Sequence, residues 1–256
     1  MPSTDKLFAG SIPETYERFL VPLIFESYAA DLAKRAAETE PQDVLETAAG
    51  TGVLTRALAS CLPQDTRITA TDLNAPMLDH AAARQPNNRR IAWQQADAMA
   101  LPFAAEAFDI VACQFGAMFF PDKVQGYKEA RRVLRSGGRF IFSVWDQISE
   151  NEFADVVTEA LAAIFPDDPP RFMARVPHGY HNVERGFPAL RRTPSMAQAR
   201  LPRRATPRLR IVRGPHCAAK SRRGTPPAWN TRRQPQRKLW RADLAMVLSK
   251  AGSGQS

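Results

Sequence analysis

Val44-Leu45-Glu46-Thr47-Ala48-Ala49-Gly50-Thr51-Gly52 is the stretch that decides how this chain reads. An apolar run suited to a β-strand passes into a loop of small residues, and the sequence from Val53 to Cys61 then takes up helical spacing. Gly50 and Gly52 permit positive φ and let a ligand approach the backbone, as any nucleotide-binding Rossmann-like loop requires. A Gly-x-Gly pair by itself is weak. It is sharpened by Asp72, 20 residues beyond Gly52 at the end of a second apolar run, where a carboxylate can accept both ribose hydroxyls. Asp97 follows a third run and could accept an adenine amino group.

Working outward, apolar runs alternate with amphipathic stretches. Strands are expected at Val44–Ala48, Arg67–Thr71, Ile91–Gln94, Phe108–Gln114 and Arg139–Val144. Helices are expected at Val53–Cys61, Ala75–Arg84, Asp122–Leu134 and Asn151–Phe165, with Gly137-Gly138 turning into the fifth strand. Such alternation predicts βαβ units and a parallel sheet covered on both faces, here in the order 3-2-1-4-5. Ahead of it, Tyr16 to Ala37 has helical periodicity, which Pro22 should divide in two. Each of Glu46, Asp72 and Asp97 could merely end a strand or cap a helix. All three at strand carboxyl ends mark the crevice where open α/β sheets bind ligands.

Thr55 stands where a dinucleotide fingerprint has its third Gly or Ala, and Glu46 at the mouth of the loop would repel a pyrophosphate. S-adenosylmethionine fits better, because it has an adenine and a ribose but no phosphate, and its ammonium group can pair with a carboxylate such as Glu46. The residues then resemble those of class I S-adenosylmethionine-dependent methyltransferases, in the small-molecule branch that includes the ubiquinone/menaquinone C-methyltransferases. The matching stretches run from Glu46 to Gly52, through Ala70-Thr71-Asp72 with Met77-Leu78, Asp97-Ala98 with Leu101-Pro102-Phe103, and Phe108-Asp109, to Val133-Leu134-Arg135-Ser136-Gly137-Gly138. They cover about residues 40 to 146. Two departures stand out: Ala48 replaces the usual first glycine and Ser136 the usual proline.

The resemblance implies that Gly50 and Gly52 lie under the methionine and ribose and that Asp72 holds the ribose. It likewise implies that Leu73 and Met77 line the adenine pocket, that Asp97 and the Ala98 amide read the adenine, and that Gln114 and Phe115 floor the site near the methyl group. Tyr16 and Met118-Phe119-Phe120 are candidates for the acceptor lid, against a role as ordinary core aromatics. In-line methyl transfer asks the protein mainly for positioning and exclusion of water, so no catalytic base is required. Of the histidines, His80 reads as a surface residue, whereas His178 and His181 sit where acceptor-binding segments of this fold lie. No carboxylate or cysteine stands close enough in sequence to make them a metal site, and none is assigned.

Charge divides the chain. Residues 1–181 hold 17 basic and 24 acidic side chains, net −7, while residues 182–256 hold 18 and 2, net +16. The overall +9 is therefore no sign of a uniformly basic nucleic-acid binder. We expect a methyltransferase domain over 1–181, with lid helices in 1–40, and a disordered Arg/Pro-rich tail over 182–256. The family's terminal β-hairpin would then be missing and the edge of the fifth strand bare. Only Leu209–Val212 and Leu239–Leu248 could form brief elements there. The tail reads as a basic arm making non-specific nucleic-acid contacts, as a disordered extension, or as GC-rich coding sequence translated out of frame. Its few aromatics, Phe187, Trp229 and Trp240, disfavour a dedicated stacking arm. A two-base shift across Arg237–Ser256 permits EAVARRFGDGLVEGRIRAIV, a helix end, a turn and a strand, so the out-of-frame reading is preferred, with the native sequence lost near 184–190.

Cys61, Cys113 and Cys217 form no disulfide framework. The first residues lack the pattern of a secretory signal, and no apolar run approaches the roughly 18 residues of a membrane span. The expectation is a soluble cytoplasmic enzyme acting on a small molecule. A nucleotide-binding oxidoreductase is the alternative, and nucleic-acid binding through the tail the non-enzymatic one.

Overall fold

A computed structural model of the chain describes residues 12–180 and 244–249. A short helix α1 (Ile12–Thr15) leads into a π-helical stretch (Tyr16–Phe25) and then α2 (Glu26–Ala37). The helix thus continues through Pro22 instead of breaking there. The stretch is wound in π turns, and at its end Glu26 N–H donates to Val21 O five residues back.

The βα units follow as β1 (Asp43–Thr47), α3 (Val53–Cys61), β2 (Arg67–Asp72), α4 (Ala75–Ala83), β3 (Ile91–Gln95), β4 (Phe108–Gln114), α5 (Lys123–Val133) and β5 (Leu134–Val144). Beyond β5 come α6 (Glu152–Ile164), α7 (Phe172–Arg175) and a single turn at His178–Tyr180. Local chemistry starts the helices: Gly52 precedes α3 in the left-handed region, Asn74 and an early proline open α4, and Asp122 caps α5 by accepting the Gln125 N–H at 2.9 Å.

The five parallel strands lie in the expected order, β3-β2-β1-β4-β5. β1 is buried along its whole length. One face packs Val44, Ile68, Ile110 and Ile141 against α2, α3 and α4, while the other packs Val111, Phe140 and Phe142 against Tyr127, Ala130 and Val133 of α5. At Gly137 (φ +80°) the chain turns out, and the pairing with β4 moves from Phe108↔Leu134 to Ile110↔Arg139.

A sixth strand, β6 (Leu244–Ser249), joins the sheet antiparallel to β5, from Arg139↔Ser249 to Val144↔Leu244. This corrects the expectation of a bare β5 edge, and the strand falls largely on Leu239–Leu248, one of the two places where a brief element was expected in the tail. The cause is the one apolar run of the tail, Leu244 to Leu248, which can pair with the unsatisfied edge of β5. No second antiparallel strand completes a hairpin among the described residues. Leu209–Val212, His181 and the span near 184–190 lie outside the described residues. Among the described residues no helix is long and apolar enough to cross a membrane.

Candidate functional site

β1 reverses neighbourhood at the centre of the sheet, since its chain successor β2 lies on one side and β4 on the other. The carboxyl ends of β1 and β4 therefore frame the topological switch point, and both strands leave the sheet through strained residues. Ala48 has φ +55° and Phe115 φ +50°, conformations that L side chains rarely adopt. The two loops also meet closely: a Cβ on Gly116 would fall 2.4 Å from the Ala48 Cβ and 2.9 Å from Cys113 Sγ.

Within the β1 loop the two glycines differ. Gly50 (φ +56°) has only the Met77 methyl near the place a Cβ would take, at 3.8 Å, so the space beside it is open enough for a ligand. Gly52 (φ +79°) is crowded, with Ala81 Cβ at 3.0 Å and the Trp93 ring at 3.1 Å. Its missing side chain lets the loop pack on α4 and β3.

Asp72 ends β2 and holds the loop in place, accepting the Gly50 N–H on Oδ2 and the Asn74 N–H on Oδ1, each at 2.8 Å. A carboxylate has about four lone-pair sites, so capacity remains for ribose hydroxyls. Leu73 beside it is half exposed, whereas Met77 is buried. Asp97 Oδ1 accepts the Met99 N–H at 2.9 Å, and Ala98 is half-buried on the same turn. These groups, together with Gly50, gather around the carboxyl ends of β1, β2 and β3.

Glu46 is sealed under the loop, 1% exposed, and accepts the Thr55 hydroxyl at 2.6 Å. Burial pushes its carboxyl up to about 8, the Asp72 charge adds to the rise, and the Thr55 hydrogen bond and the Arg56 charge oppose it. Thr55, the residue that breaks the dinucleotide fingerprint, thus serves as a hydrogen-bond donor to the acid of the same motif.

On the β4 side, Gln114 Nε2 donates to the Phe25 carbonyl at 2.9 Å. Phe115 stacks on Trp145 (centroids 4.1 Å apart, 9° between planes), with Tyr28 edge-on at 5.2 Å and Phe25 tilted at 5.7 Å. Tyr16 stacks on Phe25 at 5.1 Å, and burial, followed by the charges of Asp72 and Glu17, holds its phenol well above the usual range. Phe119 meets Phe172 at 6.5 Å. His178 is buried 2.7 Å from the Asp146 carbonyl through Nδ1, and it packs near Trp145 at 5.9 Å. His80 is half-buried on α4 rather than on the open surface, and its Nε2 lacks a hydrogen-bond partner. Among the described residues no group of three or more His, Cys, Asp or Glu is placed to hold a metal.

Residues 45–142 match the family model described as a methyltransferase domain. The core of this chain is a class I methyltransferase domain. The chain is also similar to named methyltransferases. A malonyl-[acyl-carrier protein] O-methyltransferase of Hahella chejuensis is 38% identical over 103 residues, covering 40% of this chain and 36% of that protein. A demethylmenaquinone methyltransferase of Deinococcus radiodurans is 33% identical over 144 residues, covering 54% of this chain and 58% of that protein. The chain thus spans from about a third to under two thirds of the relatives' lengths. A solved structure from Methanococcus maripaludis, described provisionally as an S-adenosyl-L-methionine-dependent methyltransferase, superposes with TM-score 0.63 at 18% identity, covering 99% of this chain and 98% of that one. At that identity the likeness is one of fold, and it agrees with the sheet order of the described residues.

Several residues that shape the domain's site were missed by the sequence reading: Thr55, Gly116, Trp145 and the ion pair of Glu17 with Arg56. Only Thr55 carried a signal, a hydroxyl at the first turn of the helix that follows an acid-bearing strand.

Proposed function

We propose that this chain transfers a methyl group from S-adenosylmethionine to a small-molecule acceptor. The observation that carries the reading is the Asp72 carboxylate gripping the Gly50 N–H beside open space, with the buried acid Glu46 beneath the same loop. Phosphate is disfavoured there and a cation favoured, which suits a sulfonium nucleoside better than a dinucleotide. The residues present fit the cofactor: Asp72 for the ribose, Leu73 and Met77 for the adenine faces, Asp97 with Ala98 for its polar edge, and Gly50 and Ala48 for close approach. Gly52 contributes through packing, and Glu46 would face the ammonium group through its second oxygen or a water. The relatives' names support methyl transfer as the reaction class.

When bound, the cofactor supplies an electrophilic methyl carbon. The chain's own residues orient and dry the site: Gln114 and Phe115 form its floor, and Tyr16, Phe119 and His178 stand on the acceptor side. The aromatic group of Phe25, Tyr28, Phe115 and Trp145 excludes water there. We assign residues 1–181, joined by β6, to the catalytic unit and place the protein in the cytoplasm. Titration calorimetry with S-adenosylhomocysteine and with NAD tests the reading. We expect binding of the first alone; binding of NAD alone would overturn it.

A further inference from the structure

We propose that Glu17 is a positioning residue for the cofactor site: through Arg56 it locks the N-terminal segment to the glycine loop, so that bound nucleotide leaves only when this lock opens. The inference rests on the reading that the site takes S-adenosylmethionine.

Glu17 lies in the first turn of the π-helical stretch and is only 8% exposed. A carboxylate so placed must be paired, and Oε1 lies 2.6 Å from Arg56 Nη2 and 3.2 Å from Arg84 Nε. Arg56 belongs to α3, and its other terminal nitrogen donates to the Thr51 carbonyl at 2.9 Å. One guanidinium therefore ties the segment to the residue between Gly50 and Gly52. At its far end the segment is tied again, since the Phe25 carbonyl accepts from Gln114 at the end of β4. The stretch from Tyr16 to Phe25 thus spans the crevice between β1 and β4, fastened on each side by polar contacts.

Apolar packing alone does not hold it there. Within the stretch only Glu17 and Val21 are buried, while Phe19, Leu20 and Leu23 face outward. Release of the Glu17 pair would leave Val21 and the far end of the stretch, where Ile24 and Phe25 pack on the Phe115–Trp145 group and Gln114 holds the Phe25 carbonyl, as the restraints. Both guanidinium groups use one oxygen of Glu17 and leave Oε2 buried without a partner, so the lock is closed but not saturated. Arg84 is half exposed, giving water a route to break it. Tyr16, adjacent to Glu17, is the residue the lock keeps near Asp72.

Stopped-flow displacement of S-adenosylhomocysteine from the full chain tests the lock. Glu17→Gln and Arg56→Gln should each raise the dissociation rate about tenfold, and the double variant no further, because either change breaks the same link. Arg84→Gln, a milder change at an exposed group, should raise it about threefold and keeps the test open if the buried variants fold poorly. Dissociation at the parent rate in a folded variant, or additive effects in the double variant, would overturn the lock alone. Absence of binding by the parent chain would overturn the cofactor reading and the lock with it.

Discussion

The two ends of the central sheet use the same kind of side chain to opposite purpose. At the amino end, Asp43 and Asp109 are satisfied by charge: Arg67 and Arg135 pair with Asp43 at 2.6 and 2.9 Å, and Arg135 reaches Asp109 at 2.8 Å. Asp109 also accepts the backbone N–H groups of Gln42 and Asp43. At the carboxyl end, Glu46 and Asp72 accept hydrogen bonds from a hydroxyl and from backbone N–H groups, with no cation bonded to either carboxylate. Arginine hydrogen bonds draw the Asp43 carboxyl below its ordinary range, and burial lifts that of Glu46 to about 8. An acid paired with guanidinium groups is a staple between strands; an acid held by neutral donors keeps lone pairs for a ligand. The difference separates the end that stabilises from the end proposed to bind.

The largest effect should come from breaking the binding end. Asp72→Ala should weaken S-adenosylhomocysteine by about 1 to 3 kcal/mol by calorimetry, since the Gly50 N–H and the ribose hydroxyls lose their acceptor together. Asp43→Ala should do the converse, costing about 1 to 2 kcal/mol in denaturant unfolding while leaving that affinity unchanged; much of Arg67 and Arg135 is exposed, so solvent screens part of the loss. Equal effects of the two substitutions on binding would erase the comparison.

The two ends should also titrate in opposite senses, by up to about 1.4 kcal/mol per pH unit for each group. Glu46 holds its proton in the folded state up to about pH 8 against an ordinary value of 4.5, so its contribution is full below the unfolded value and falls as pH rises between the two. Glu46→Gln should flatten that decline. The lowered Asp43 and Asp109 contribute above their ordinary value of 3.8 and lose the contribution as pH falls below it, a loss that Asp43→Asn should lessen. Thermal melts at several pH values check both signs.

The smallest expected effect sharpens the comparison within the binding end. Ala48→Gly relieves a positive φ that glycine adopts freely, but it also loosens the unfolded chain, so a gain of at most about 1 kcal/mol is expected. A loss of stability instead would show that the contact of the Ala48 methyl with Gly116 outweighs the strain.

Local sequence was enough for the βα alternation, the strand order of the parallel part and the placing of Gly50, Asp72 and Asp97 around one crevice. Each depends on periodicity or on a motif within one βα unit. What was not legible joins residues far apart in the chain. Glu17 and Arg56 are 39 positions apart, Gln114 reaches Phe25 across 89, and β6 pairs with a strand about a hundred residues earlier. The partly buried side of His80 depends on packing around α4, which its own sequence neighbourhood does not reveal.

By itself the sequence determined where the βα units are helical or extended and which acids end their strands, because hydrophobic period and glycine conformation act over a few residues. Tertiary structure alone decided what each acid is for. Asp43 and Glu46 lie in the same five-residue strand, and one meets two guanidinium groups while the other meets a threonine hydroxyl in a dry interior. A carboxyl group's charge, proton affinity and spare lone pairs are set by what the fold brings against it, and those neighbours come from other strands and helices.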